Sequence, residues 1–185
     1  MNEETLDIVT QTGAPTGKTA LKSVVHNKGH YHNTAHIWFY TVTGKILLAQ
    51  RAASKALYPL LWDVSVAGHV YAGESVAQGG IREVHEEIGL SITEKDLQKI
   101  GVFECFQSYP NGIIDNEFHH TYIVVLNVPL DALTPQPEEV EALKLVSISE
   151  FKDLLDNSDT NGHFVASNRD YYLKVLEAIS TQLPK

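Results

Sequence analysis

Apolar and polar positions follow two different rhythms along this chain. From Ala35 to Val42 the run AHIWFYTV is rich in β-branched and aromatic residues, Thr43 and Gly44 make a turn, and GKILLAQRA follows. That pattern predicts two strands joined by a tight turn. Beyond a loop carrying Lys55, Tyr58 and Pro59, LWDVSVAGHV predicts a β segment broken at Gly68. The period then changes. In ESVAQGGIREVHEEIGL, Ala77, Ile81, Val84 and Ile88 recur at helical spacing, Ser75 and Gln78 fit a capping box, and Gly89 stands where a left-handed cap ends a helix. A helix of about four turns is predicted there. KIGVFECFQSY and EFHHTYIVVLNV predict strands on either side of a Pro110-Asn111-Gly112 turn, and KLVSIS a last strand. Ser149 predicts the N-cap of a short helix through Leu155, and DYYLKVLEAISTQL a closing helix over about 168–182. Residues 1–34, polar and punctuated by Gly13, Pro15, Gly17 and Gly29, predict an irregular lead-in with short strands at most. With no repeat, long linker or break in composition, the mixed order predicts one α/β domain over 1–185, its core at about 35–160, with helices flanking a mixed sheet.

Composition narrows the function classes. The 185 residues are 43% apolar and 20% charged, enough to bury a core and unlike a disordered tail. Fourteen Lys and Arg against twenty-three Asp and Glu give a net charge of -9, the wrong sign for gripping polymeric nucleic acid or an anionic membrane. No apolar run approaches the roughly 18 residues of a membrane helix, and Met1-Asn2-Glu3-Glu4 is acidic where a secretory signal is basic, so a cytoplasmic protein is expected. The single Cys105 excludes an internal disulfide framework and a thiolate-rich zinc site. Lying in an apolar strand, it is expected to be a buried core thiol.

The acidity has a focus. Arg82, Glu83, Glu86 and Glu87 fall within six residues, and the i+3 and i+4 spacings put three carboxylates on one helix face. An acidic helix face is ordinarily just a solvated one. A hard divalent cation such as Mg²⁺ or Mn²⁺ instead turns clustered carboxylates into ligands. Context favours the cation: Gly68-x5-Glu74-x7-Arg82-Glu83-Val84-x-Glu86-Glu87-x-Gly89-Leu90 spans residues 68–90. At every defined position this resembles the signature box of the Nudix hydrolase family. Chance coincidence is on the order of 10⁻⁹ per window, so the resemblance is specific.

The resemblance implies an α/β/α sandwich with a mixed central β-sheet and a loop-helix-loop element. In it Glu83, Glu86 and Glu87 hold Mg²⁺ or Mn²⁺, with the Gly68 carbonyl as a backbone ligand. Arg82 pairs with Glu74 and Glu83, a geometry suited to a planar guanidinium. Gly89 lets the chain leave the helix at positive φ. The implied reaction is attack of water on phosphorus in a nucleoside-diphosphate-type small molecule, with Glu83 or a glutamate outside the box taking the proton. Family habit implies a homodimer.

Nine histidines are the second feature. His26, His30, His32 and His36 would share one side of a continuous strand, although Gly29 and Asn33 argue against continuity. Histidines this dense are commonly polar loop residues. The stretches VHNKGHYHNTAHIWFY and KALYPLLWDVSVAGHV, however, resemble the branch of the superfamily that includes isopentenyl-diphosphate isomerase, whose metal is held by histidines and glutamates. By that resemblance His69, directly after Gly68, His26 and His32 correspond to metal histidines, and Asp115 with Glu117 to the acidic pair. Glu117 is the first candidate for a ligand or base outside the box. That isomerase needs a cysteine just before its Gly-His pair, where this chain has Val66-Ala67, and its box is degenerate whereas this one is intact. Hydrolysis is therefore the leading expectation, an isomerase-like prenyl-diphosphate enzyme the second, and a non-catalytic ligand-binding domain the third. Trp38, Tyr40, Tyr58 and Trp62 are expected as core more than as base-stacking platforms. Glu138, Glu139 and Glu141 are expected on a solvated loop or helix start.

Overall fold

The computed structural model describes residues 3–161, 164–165 and 169–184. Among the described residues nine strands and four α-helices follow in the order β1 (Thr5–Val9), β2 (Pro15–Leu21), α1 (Lys22–Lys28), β3 (His32–Tyr40), β4 (Lys45–Arg51), β5 (Trp62–Asp63), β6 (Val66–His69), α2 (Val76–Ile88), β7 (Gln98–Ser108), β8 (Ile114–Val125), β9 (Val140–Ser147), α3 (Ile148–Asp156) and α4 (Arg169–Gln182).

Seven strands form the central sheet. β3 lies at its centre, parallel to β8 and antiparallel to β6, and β8 in turn pairs antiparallel with β7 at the edge. On the other side β4 pairs antiparallel with β5 and β9. Because side chains alternate across a strand, β3 builds two cores at once. Trp38 and Tyr40 pack with Phe151 and Leu155 of α3 and with Tyr171, Tyr172, Val175 and Leu176 of α4. Ile37 and Phe39 pack on the opposite face with Val84 and Ile88 of α2. The result is an α/β/α sandwich around a mixed sheet.

The expected elements are present, with four differences. The lead-in is ordered: β1 and β2 form an antiparallel hairpin, and α1 ends on Gly29 at φ 62. The hairpin is pinned to the loop before α2, Ala72 N donating to Thr5 O at 2.8 Å and Gly73 N to Asp7 Oδ2 at 2.9 Å. β3 and β4 flank the expected turn but share only the pair Tyr40–Ile46, since β6 and β8 take most of β3. The segment expected to break at Gly68 breaks instead at Val64-Ser65, and Gly68 lies within β6. α3 is capped by Ser147, not Ser149, because Glu150 stands three residues after Ser147 and closes a capping box with it. Of the acidic run after the prolines, Glu138 and Glu139 lie in a turn, as the loop expectation has it, and Glu141 is an exposed residue of β9. Of the closing helix, position 168 lies outside the described residues. Among the described residues, no helix is long and apolar enough to cross a membrane.

Candidate active site

The box is built around α2. Ser75 Oγ accepts from Gln78 N at 3.2 Å, Gln78 Oε1 accepts from Ser75 N at 2.8 Å, and Gly89 ends the helix at φ 68. Gly79 and Gly80 let the helix lie close on the sheet, a β-carbon at Gly80 meeting Ile37 and Ala35. That contact turns Glu83 and Glu87 inward, where both are buried, while the Glu86 side chain stays 45% exposed. The three carboxylates therefore divide between a buried and an open position.

Arg82 is the hub. Its Nε and Nη2 donate to the two oxygens of Glu74 at 3.0 and 3.1 Å, Nη1 donates to Glu83 Oε1 at 2.8 Å and Glu86 Oε2 at 2.9 Å, and Nη2 also reaches the His69 carbonyl at 2.8 Å. Its guanidinium carbon sits 3.5 Å above the Tyr71 ring. Gly68 faces the Glu83 carboxylate so closely that a β-carbon would overlap it. Burial pushes Glu83 up to about 7, with Arg82 opposing, and pushes Glu87 well above the ordinary range, helped by the negative charges of Glu83 and Glu139. Two buried carboxylates that resist ionisation, beside a cradle only glycine fits, suit a hard divalent cation in chemistry and charge.

A second locus lies on the opposite face of the sheet. The register pairs His32 with Glu117 and Thr34 with His69, and alternation aims these side chains at the α4 side, while Gly68 faces α2. α1 brings His26 to the same point. Ligand atoms of His26, His32, His69 and Glu117 all lie within 4.8 Å of one another. His32 Nδ1 faces the His30 carbonyl at 2.9 Å; a carbonyl only accepts, so Nδ1 carries a proton and Nε2 is the nitrogen left for a ligand. That buried Nε2 has no hydrogen-bond partner and lies 3.4 Å from Glu117 Oε1. His26 Nδ1 meets Asp115 Oδ1 at 2.8 Å, and its Nε2 meets His69 Nε2 at 3.0 Å. Burial holds His69 well below the usual histidine range, so its nitrogen is neutral at pH 7. An orphaned buried nitrogen, two imidazole nitrogens face to face and a carboxylate oxygen fit a borderline divalent metal.

The structure thus separates residues that the sequence placed in one ligand set. Glu83, Glu86 and Glu87 lie with Gly68, Glu74 and Arg82 on the α2 face, whereas His69 and Glu117 lie on the α4 face. His30 joins neither ligand group, and His36 stacks on His119 with ring centroids 3.9 Å apart. Two residues escaped sequence reading. His119, adjacent to His120 in a strand, carried no local signal. Cys105, expected as a buried core thiol, is instead half-buried, because β7 is an edge strand that lines a cavity of about 200 Å³ together with His119 and Tyr171. Trp38, Tyr40 and Trp62 are core, while Tyr58 is half-buried in the loop before the box.

A sandwich of this topology, with a capped carboxylate helix clamped by one arginine, defines a class before any relative is considered. Residues 30–167 match the NUDIX domain family, and the chain belongs to it. It is 37% identical over 164 residues to Nudix hydrolase 3 of Arabidopsis thaliana, covering 86% of this chain but only 21% of that protein. An uncharacterised Nudix hydrolase of Clostridium acetobutylicum is 37% identical over 161 residues, covering 85% of this chain and 76% of that protein. Isopentenyl-diphosphate Delta-isomerase of Cutibacterium acnes is 29% identical over 143 residues, covering 74% and 70%. Among solved structures, a Deinococcus radiodurans protein superposes with a TM-score of 0.67 at 18% identity over 98% of this chain and 100% of its own. The NUDIX domain of Shewanella oneidensis NrtR complexed with ADP ribose gives 0.57 at 15% identity over 80% and 87%. A bifunctional NMN adenylyltransferase/ADP ribose pyrophosphatase of Francisella tularensis, complexed with AMP and a manganese ion, gives 0.56 at 18% identity over 80% and 41%.

Proposed function

We propose that this protein is a divalent-cation-dependent pyrophosphohydrolase that cleaves the diphosphate linkage of a nucleoside-diphosphate-type small molecule, with Mg²⁺ or Mn²⁺ as cofactor. The observation that carries the reading is the intact carboxylate helix, with Glu83 and Glu87 buried against Gly68 and clamped by Arg82. Glu83, Glu86 and Glu87, with the Gly68 carbonyl, hold the cation. When bound, the cation offsets the diphosphate charge and lowers the pKa of water. Glu83 takes the proton of the attacking water, and Arg82, fixed by Glu74, keeps that carboxylate aimed. Glu86, half in solvent and paired with Arg82, would supply the open side of the cation site. The ADP-ribose ligand and manganese ion of the solved neighbours support this substrate class and metal. The protein works in the cytoplasm, and a homodimer follows family habit.

His26, His32, His69 and Glu117 would hold a second divalent metal on the α4 face, since their ligand atoms lie within 4.8 Å of one another. Their arrangement favours one further reading, an isomerase-like enzyme acting on a prenyl diphosphate. Val66-Ala67 stand against it, since no thiol precedes Gly68. The test is a panel of nucleoside diphosphate conjugates, dinucleotides and prenyl diphosphates assayed with Mg²⁺ and Mn²⁺. Hydrolysis is expected for at least one nucleoside diphosphate conjugate, and the Glu86→Gln/Glu87→Gln double variant should lose at least about a hundredfold in rate. Undiminished hydrolysis by that variant, or turnover of isopentenyl diphosphate with both phosphates retained, would reject the proposal.

A further inference from the structure

Glu117 has two carboxylate oxygens with different surroundings. Oε1 faces the histidine cluster, 3.4 Å from His32 Nε2 and 3.8 Å from His69 Nε2. Oε2 lies 2.8 Å from His119 Nε2. His119 stands two residues on along β8, on the same sheet face, and is itself buried. Its ring is held from several directions. It stacks on His36 with centroids 3.9 Å apart and planes 23° from parallel, and Cys105 lines the same cavity beside it. His36 is anchored in turn: its Nδ1 lies 2.9 Å from the Tyr171 hydroxyl of α4, which accepts from Trp38 Nε1 at 2.7 Å.

We propose that His119 is a positioning residue for Glu117: its Nε2–H engages Oε2 and so presents Oε1 to the metal held by His26, His32 and His69. The inference rests on the metal site described under Proposed function. A carboxylate that binds a metal through one oxygen can still rotate about its terminal bond, and a donor fixed on the other oxygen removes that freedom. The donor serves in either charge state of His119, because both the neutral Nε2–H tautomer and the imidazolium carry that proton. His36, Glu117 and His119 also bring ligand atoms within 4.8 Å of one another. Stacked rings, however, send their in-plane lone pairs side by side and do not converge on one ion. His119 Nε2 and His36 Nδ1 are moreover already at hydrogen-bond distance from Glu117 and Tyr171.

Titration of the metal-free protein with cobalt(II), followed by visible absorption of the nitrogen-rich site and by calorimetry, tests this. His119→Leu fills the space without a donor, whereas His119→Gln keeps an N–H. Expected are about a 10- to 100-fold weaker cobalt affinity for His119→Leu at unchanged stoichiometry, and recovery of most of that loss by His119→Gln. In a Glu117→Gln background His119→Leu should add no further loss. Wild-type affinity in His119→Leu, equal weakening in the Gln and Leu variants, or loss of a whole equivalent of cobalt would each overturn the proposal, the last by making His119 a ligand. His32→Ala separates the two levels: a visible cobalt band of the nitrogen-rich site that survives it rejects the metal site itself, whatever cobalt the α2 carboxylates still bind, whereas a band abolished by it but indifferent to His119 rejects only the positioning role.

Discussion

Glu83 is a carboxylate that folding removes from water before any cation arrives. Burial lifts it from an ordinary 4.5 to about 7, against the pull of Arg82. Between those values the folded chain holds a proton that the unfolded chain has released, so this group's contribution to stability falls as pH rises through that window. The loss is on the order of 3 kcal/mol at full ionisation. Glu87, also raised, acts in the same direction. His36 and His69 oppose them: both are held well below the usual histidine range by burial, so their contribution is lost as pH falls. The pH effect of Glu83 is therefore expected not in the raw melting curve but in the difference from Glu83→Gln. In EDTA the wild type should lose stability relative to that variant as pH rises from 4.5 to 7, and saturating Mg²⁺ should abolish the loss. Thermal melts of both proteins across that range check it, and a difference that grows in favour of the wild type would be the contrary result.

Among the elements, α2 was the most legible, because its signals are local: a serine with a glutamine three residues on, apolar positions at helical spacing, and a glycine at the end. The capping box makes a direct prediction. Ser75→Ala removes the acceptor for Gln78 N and should cost about 1 kcal/mol, read as a shift in the urea midpoint with an unchanged slope. The carboxylate orientation was only partly legible. Spacing placed Glu83, Glu86 and Glu87 on one face, but which of them the sheet covers depends on Gly80 admitting β3 closely, a tertiary fact. In α3 the signal was present and misread, since Ser147 and Ser149 both stand at the helix start and only Ser147 has an acid at the required spacing. β2 left no trace in the sequence because its PTGKTAL is exposed at almost every position and shows no alternation.

At the scale of the whole molecule, pairing decides what the sequence could only suggest. The box lies within one stretch of 23 residues, so the candidate active site could be read at a glance. The histidine locus draws on α1, β3, β6 and β8, and no local pattern joins His32 to Glu117; the parallel register of β3 and β8 does. Sheet alternation then sends Gly68 and His69, neighbours in the chain, to opposite faces, so one short strand serves both loci. The charge also divides. Of the net -9, Glu74 through Glu87 contribute four acids and one arginine, a net of -3 that a bound cation would largely offset. The single most direct test of this account is hydrolysis in ¹⁸O-labelled water, using a nucleoside diphosphate conjugate and Mg²⁺ or Mn²⁺. Water attack on phosphorus predicts one ¹⁸O in a phosphate of the products and no turnover in EDTA, whereas turnover without label at phosphorus would contradict it.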